Sequence, residues 1–221
     1  MKKKLIIFGV GDIAELAHYY FTRDSAYEIV AFTVDAEFIS QPTFCELPVV
    51  PFERLAEDYS CAEYSVFIAL SYSKLNSVRK DKYLAAKSLG YPIASYVSSH
   101  STVLNDGRIG ENCFILEDNT VQPFVTIGNN VTLWSGNHIG HHSTIADHVF
   151  VASHAVISGG VHIEELCFIG VNATLRDHIR VGERCVIGAG ALLLEDADAD
   201  GVYIGTATQR SRVPSHRLRK L

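Results

Sequence analysis

The sequence predicts a small N-terminal α/β domain followed by a parallel β-helix, and two observations carry this prediction. Strand-like and helix-like segments alternate up to residue 96, and an aliphatic residue recurs at every sixth position beyond it. A period of six matches neither an α-helix nor a simple strand. It is typical of a β-helix, in which each flat side buries one aliphatic side chain. The predicted domains are residues 1–96, residues 97–200 and a C-terminal tail, residues 201–221.

The N-terminal domain opens with KKLIIFGVGDIAELAHYYF, which predicts a strand, a glycine turn and a helix. YEIVAFTVD predicts a second strand that ends at Asp35, and residues 65–97 predict strand, long helix and strand. This alternation favours a parallel sheet in a Rossmann-like domain. Glycines between strand and helix either receive a phosphate at the helix N-terminus or merely turn the chain.

The six-residue ladder runs from Val97 to Leu193, and all seventeen of its positions are Val, Ile or Leu. Three consecutive repeats, one for each side, make one coil, so residues 97–196 form between five and six coils. Successive coils are expected to stack at the strand spacing of ~4.8 Å. No long insertion interrupts the period.

Two inward columns follow from this coil length. Cys113, Cys167 and Cys185 are separated from one another by whole coils, which predicts core thiols. Asn119 and Asn137, which are one coil apart, predict a similar ladder of buried amides. The five cysteines are odd in number and form no CxxC pair, which also favours reduced thiols over disulfides.

Composition narrows the classes of function. The net charge of −6 argues against a general nucleic-acid binder, and the absence of a long, uninterrupted apolar run argues against a membrane span. The apolar run at residues 5–8 is too short for a secretory signal, so a cytoplasmic protein is expected. The tail is either solvated or binds phosphate, and its basic residues are Arg210, Arg212, Arg217, Arg219 and Lys220.

From residue 3 to residue 210 the chain resembles bacterial sugar acyltransferases of the sialic acid O-acetyltransferase and UDP-bacillosamine N-acetyltransferase type. The segments that carry this resemblance are IIFGVGDIAE, FTVD, VFIALSYSKLNSVRKDKY, IGHHSTIADHVFVASHAVISGG and VYIGTATQR. The resemblance implies a left-handed β-helix and a homotrimer with active sites between subunits. It also implies a nucleotide-linked sugar as acceptor, acetyl-CoA as cosubstrate, no metal, and a role in surface glycan synthesis.

The same resemblance assigns site residues. The catalytic histidine falls on His141. The sugar-nucleotide contacts fall on Gly11, Asp12, Ile13, Asp35 and Ser71. The acetyl-CoA contacts fall on Phe150, Gly159, Val171 and Ala189.

The chain departs from the family's pattern at three places. His142 stands where the family has Asp or Glu after the catalytic histidine. Val34 and Asp35 replace an acidic pair at the end of the second strand, and residues 205–208 replace a Gly-x-Pro-Ala motif. The first departure concerns the partner of the base, and the second concerns which nucleotide is bound.

The ladder places the histidines independently of the resemblance. His141 and His142 follow Ile139 closely, at the second and third positions after it, so both are expected to project outward. Imidazole takes up a proton near neutral pH, which suits a general base at His141, with His142 either orienting it or lying at the rim. Gly159 is placed one coil above His141 and would leave a backbone N–H for the thioester oxygen. Small outward residues, also one coil apart, offer a path for the pantetheine arm: Ser153, Val171 and Ala189.

The expected function is therefore acetyl-CoA-dependent acetylation of an amino group on a nucleotide-linked sugar. O-acetylation is the alternative, and a base without a carboxylate partner leans toward the amine. A metal-dependent hydratase of the gamma-type carbonic anhydrase class would use three histidines. Here His142 and His178 lie two coils apart but the next position is Glu183, so the set is incomplete. A non-catalytic binding trimer is the third class, and the intact His141 argues against it.

Overall fold

The computed structural model describes residues 2–217, in which a mainly parallel five-stranded sheet precedes the β-helix. The strands of this sheet are β1 (Lys3–Phe8), β2 (Tyr27–Val34), β3 (Thr43–Phe44), β4 (Leu47–Pro51) and β5 (Tyr64–Ile68). The helices are α1 (Asp12–Arg23), α2 (Leu55–Asp58) and α3 (Ser77–Ser88). The strand order is β3-β4-β2-β1-β5, and only the β3-β4 hairpin is antiparallel.

The predicted α/β arrangement is confirmed, with two differences. The β3-β4 hairpin was not predicted, and the strand expected after α3 is only a bridge between Ile93 and Val66. The chain leaves the sheet there because Tyr96 pairs with Phe114 of the β-helix. The ring of Tyr96 is buried in the core of the α/β domain, so it joins the two parts of the chain.

The β-helix consists of two-residue strands on three faces. The domain face, which packs against the α/β domain, contains β6 (Tyr96–Val97), β8 (Phe114–Ile115), β11 (Thr132–Leu133), β14 (Phe150–Val151), β17 (Phe168–Ile169), β20 (Val186–Ile187) and β22 (Val202–Tyr203). The second face contains β7 (Thr102–Val103), β9 (Thr120–Val121), β12 (His138–Ile139), β15 (Val156–Ile157), β18 (Thr174–Leu175) and β21 (Leu192–Leu193). The third face contains β10 (Thr126–Ile127), β13 (Thr144–Ile145), β16 (His162–Ile163) and β19 (Arg180–Val181).

The register of these strands follows the predicted coil of three repeats. Leu133 pairs with Val151 and Ile139 pairs with Ile157, and the pairing is parallel throughout. The ladder is buried from Ile115 to Leu193. Its predicted first position is wrong, because Val97 is 37% exposed while its neighbour, Tyr96, turns into the α/β core.

The two predicted inward columns are confirmed. Cys113, Cys167 and Cys185 are fully buried, and burial raises the pKa of the Cys113 and Cys167 thiols to about 12. These thiols are therefore protonated and unreactive near neutral pH. Asn119 and Asn137 are buried as well, and Asn137 Oδ1 accepts the Ala155 N–H at 2.7 Å, tying one coil to the next.

A second period of six was not predicted: the residue at each corner of the coil has a positive φ. From residue 106 to residue 190 every sixth residue has φ between 53° and 78°. Twelve of these fifteen residues are Asn, Asp, Gly or His, the types that tolerate the left-handed conformation best. His142 is one of them, so the backbone conformation of the corner by itself favours a histidine at position 142.

The α/β domain is held against the β-helix by Arg79 of α3, which is fully buried. Its guanidinium donates to Thr132 Oγ1, to Asn76 Oδ1 at 3.0 Å and to the His148 carbonyl at 3.2 Å. Burial lowers the pKa of Arg79 to about 10, and none of these acceptors is a carboxylate. A second link joins the Asn112 side chain to the Ile68 N–H at 2.7 Å. These contacts fix the edge of the sheet relative to the coils.

In the tail, Arg210, Arg212 and Arg217 are exposed. Arg219 and Lys220 lie outside the described residues.

Candidate active site

His141 lies at the bend between the second and third faces. We call this bend the His141 corner: residues 140–143 and the positions one and two coils before and after them. The side chain of His141 is exposed, and its N–H donates to Gln122 Oε1 of the coil below at 2.8 Å. Its carbonyl accepts the Gly160 N–H of the coil above at 2.8 Å. Both neighbouring coils therefore hold the backbone that carries the imidazole.

The ring of His141 lies against Gly159. A Cβ placed on Gly159 would come within 2.6 Å of His141 Cε1 and 2.8 Å of His141 Nε2. No side chain larger than hydrogen fits there without moving the imidazole. The Gly160 N–H is used by His141, whereas the Gly159 N–H has no hydrogen-bond partner among the described residues. Gly159 is therefore the glycine whose backbone N–H can still donate a hydrogen bond to a ligand beside His141.

His142 contacts His141 directly: their Nδ1 atoms are 3.0 Å apart. The ring of His142 also packs on Phe124 of the coil below, with ring centroids 4.7 Å apart. Above the pair, His178 lies over Gly160, since a Cβ on that glycine would clash with His178 Nδ1. The corner thus presents three imidazoles around two adjacent glycines.

Two of the residues assigned to acetyl-CoA lie at a different corner. Val171 and Ala189 occupy the bend between the domain face and the second face, which we call the Ala189 corner: residues 188–191 and the positions one and two coils before them. Both side chains are exposed, Val171 by 44%. Within one chain the second face separates this corner from the His141 corner, a distance of about six residues or up to ~20 Å.

Four of the five residues assigned to the sugar nucleotide line one cavity of about 610 Å³. They are Gly11, Asp12, Ile13 and Ser71. Gly11 is the N-cap of α1 and no side chain caps this helix, so the N–H groups of Asp12 and Ile13 in its first turn have no hydrogen-bond partner among the described residues. Tyr72 and Trp134, which the sequence did not predict as site residues, line the same cavity, and Trp134 does so from the β-helix. The cavity therefore lies between the two domains.

The remaining two assigned residues lie apart from these groups. Asp35 accepts a hydrogen bond from Lys82 Nζ of α3 at 2.6 Å, and it does not line the cavity. Phe150 is buried on the domain face, stacked against Phe168 at 5.7 Å and edge-on to Tyr72 at 5.0 Å. In the single chain it supports the wall of the cavity and is not beside Gly159.

Two further observations bear on the class of protein. Within residues 2–217, no group of three His, Cys, Asp or Glu side chains is placed to hold a metal ion. None of the helices described is both long and apolar enough to cross a membrane.

Comparison with known proteins identifies the fold. Residues 106–141, 125–159 and 160–194 match the family profile described as bacterial transferase hexapeptide (six repeats). No curated protein sequence matches the chain. The acetyltransferase domain of PglB from Neisseria gonorrhoeae FA1090, in complex with acetyl coenzyme A, is 22% identical with a TM-score of 0.83, over 93% of this chain and 97% of that one.

Two other solved structures are similar over both domains. A histidine mutant of perosamine N-acetyltransferase from Caulobacter crescentus, in complex with CoA and GDP-perosamine, is 19% identical with a TM-score of 0.80, over 91% of this chain and 93% of that one. WeeI from Acinetobacter baumannii AYE is 21% identical with a TM-score of 0.76, over 91% and 96%. The predicted fold is confirmed: an α/β domain followed by a left-handed β-helix, as in these solved structures.

Proposed function

We propose that this chain is an acetyl-CoA-dependent acyltransferase that acetylates an amino group of a nucleotide-linked sugar, with His141 as general base. The observation that carries the proposal is the outward imidazole of His141, seated on Gly159 beside a backbone N–H that has no partner among the described residues. The fold supports it, because similar structures contain acetyl-CoA, or CoA with GDP-perosamine. Surface glycan synthesis in the cytoplasm is part of the same proposal.

The chemistry is a direct transfer. The acceptor nitrogen attacks the carbonyl carbon of the thioester while His141 Nε2 removes a proton from that nitrogen. Negative charge builds on the carbonyl oxygen, where the Gly159 N–H is the available donor. The C–S bond then breaks, and the leaving thiolate takes the proton from the imidazolium, so the products are an amide and CoA thiol. General-base assistance of this kind contributes about 10²–10⁴ in rate.

The sugar nucleotide is proposed to bind in the cavity between the domains. A volume of about 610 Å³ fits a ligand of nucleotide size. The N-terminus of α1 at Gly11 and Asp12 suits the diphosphate. Trp134 and Tyr72 offer aromatic surface to the remainder of the ligand.

A second copy of the chain is needed to bring these parts together. Trp134 lies on the same bend as Ala189, three coils before residue 188, and His141 lies across the second face from that bend. We therefore propose a homotrimer in which the His141 corner of one subunit meets the Ala189 corner and cavity of the next. The pantetheine arm would run between Gly159 of one subunit and the Val171–Ala189 column of its neighbour. Phe150 supports the cavity wall from beneath through Tyr72, and Asp35 plays a supporting role at the edge of the sheet through its bond with Lys82.

An amine is the favoured acceptor because of the pair formed by His141 and His142. A hydroxyl is the poorer nucleophile and requires a stronger base, which a carboxylate partner would provide. The partner here is an imidazole. If the acetyl group is found on a sugar hydroxyl, the acceptor is not an amine, but the chain is still an acyltransferase.

The test is a release assay for free thiol with acetyl-CoA and a panel of UDP-, dTDP- and GDP-linked 4-amino sugars. Thiol release that depends on one amino sugar, with the matching 4-hydroxy sugar inactive, supports N-acetylation. Release with the hydroxy sugar alone would make the chain an O-acetyltransferase. Release with neither, together with no acetyl-CoA binding at millimolar concentration by calorimetry, would favour a non-catalytic trimer.

A further inference from the structure

The contact between the two histidines constrains where their protons lie. At 3.0 Å, the two Nδ1 atoms share one proton: one ring carries Nδ1–H and the other offers its Nδ1 lone pair. A neutral imidazole carries its single proton on one nitrogen only. Each arrangement of the pair therefore fixes the tautomer of both rings.

Only one arrangement suits a base at His141. Its Nε2 must be unprotonated to take the substrate proton, so its own proton has to lie on Nδ1. His142 must then accept through Nδ1 and carry its proton on Nε2. We infer that His142 is a neutral positioning residue that holds His141 in the Nδ1–H tautomer. This inference rests on the proposed function of His141.

The ring of His142 is itself held in place. Its backbone has φ 60° at the corner, and its N–H donates to the Pro123 carbonyl at 3.3 Å. Its ring packs on Phe124, whose own φ is 66°. A bulky aromatic residue is unfavourable in that conformation, and most other corners carry Asn, Asp, Gly or His. The Phe124 side chain is 53% exposed, so burial does not account for an aromatic residue at this corner, whereas its contact with His142 does.

Among the described residues, no hydrogen bond joins either imidazole to a charged side chain. The other titratable groups of this corner belong to coils two below and two above, about 10 Å along the axis, although the ring of His178 reaches down to Gly160. They are Asp106 below, and Arg176, Asp177 and His178 above. Proton uptake by His141 therefore produces one cation shared with a neutral imidazole, in contrast to the ion pair that a carboxylate partner would form.

Three substitutions at position 142 keep the backbone favourable, since Gly, Asn and Asp all tolerate a positive φ. His142→Asn supplies a neutral acceptor, His142→Asp an anionic one, and His142→Gly none. We expect His142→Asn to retain kcat within about fivefold and His142→Gly to lose at least about tenfold, with KM values unchanged. In His142→Asp the acid limb of the kcat–pH profile should move to higher pH, because a carboxylate favours the protonated ring.

The direct readout is the ¹⁵N spectrum of the full-length protein labelled at histidine, with His141→Gln and the position-142 variants used for assignment. Above pH 8 we expect wild-type His141 as the Nδ1–H tautomer and His142 as Nε2–H, with the first signal becoming a mixture in His142→Gly. His141 found as Nε2–H in the wild-type protein would overturn the inference even if transfer is observed. The expected tautomers without transfer to any acceptor would overturn the proposed function and leave the pairing established. Equal kcat in His142→Gly and His142→Asn would also overturn the positioning role.

Discussion

The imidazole of His141 and the α-carbon of Gly159 are in contact across two adjacent coils, so closely that a methyl group at 159 would lie 2.6 Å from His141 Cε1. Residues that are three repeats apart in sequence become neighbours in this fold because each coil stacks directly on the last. The contact depends on the lack of a side chain at one position and on the ring at the other. A single coil could not create it.

Replacing Gly159 with Ala should therefore reduce activity without unfolding the protein. The added methyl forces the His141 ring from its position, and a displacement of about 1 Å at a reacting group can cost ~10²-fold in kcat. The measurement is kcat for thiol release, with circular dichroism to confirm the fold. Ser158→Ala is the matched control and should keep wild-type kcat, because the Ser158 hydroxyl makes no hydrogen bond among the described residues, while its backbone bonds to Leu175 and Ser143 remain in the variant. Equal activity of both variants would contradict the proposed geometry.

Because the proposed nucleotide-sugar cavity is distinct from the proposed acetyl-CoA path, a substitution in the cavity should change the KM of one substrate and not of the other. Trp134→Ala should raise KM for the nucleotide sugar by about 5–10-fold, the loss of roughly 1 kcal/mol of aromatic contact. The KM for acetyl-CoA should change by less than about twofold, since Val171 and Ala189 lie two and three coils above Trp134, about 10–14 Å along the axis. Trp134→Phe retains a ring and serves as the control. A larger effect on acetyl-CoA than on the sugar would place the nucleotide elsewhere.

Stability should depend on pH through His148, which has no part in the proposed chemistry. Burial, followed by the charge of Lys80, lowers the pKa of His148 to about 4, so the folded protein keeps this ring neutral. In the unfolded chain the ring protonates near pH 6.5, so the unfolded state binds more protons as the pH falls and stability is lost from about pH 6.5 down to about pH 4. Its contribution to the loss between pH 7 and pH 5 should be about 1–2 kcal/mol.

His148→Asn isolates this contribution. Asn tolerates the positive φ of this corner and offers an acceptor to Asn130, which now lies 2.9 Å from His148 Nδ1. Urea unfolding at pH 7 and pH 5 should show a smaller loss of stability in the variant than in the wild-type protein. An identical pH dependence in both proteins would show that His148 is not the group responsible.

The sequence was sufficient for the β-helix because its core repeats. Each aliphatic residue from Ile115 to Leu193 does the same work in its coil, so one period predicts the faces, the register and the buried Cys113 column. The second period, of left-handed corners, was equally present in the printed residues. This period is harder to recognise because it is spread over four residue types, and the sequence alone does not separate a backbone role of His142 from a chemical one.

The cavity could not be predicted to the same extent. Gly11 and Ser71 follow from the resemblance, but Trp134 reaches the cavity from a different domain, and nothing local in its sequence marks that contact. Phe150 and Phe168 are one coil apart on the domain face, and their spacing alone suggests two exposed rings. In the structure, Tyr72 of the α/β domain packs against both of them. Contacts between the domains depend on how the α/β domain packs against the β-helix, and the six-residue period of the β-helix carries no information about that packing.

The role of His141 as general base is tested by comparing wild-type protein with His141→Ala in the thiol-release assay, using saturating acetyl-CoA and the amino sugar that the panel identifies. We expect kcat to be lower by about 10²–10⁴-fold in the variant, with acetyl-CoA binding by calorimetry unchanged. A loss of less than about threefold under these conditions would contradict it, since a general base cannot be removed at so small a cost in rate.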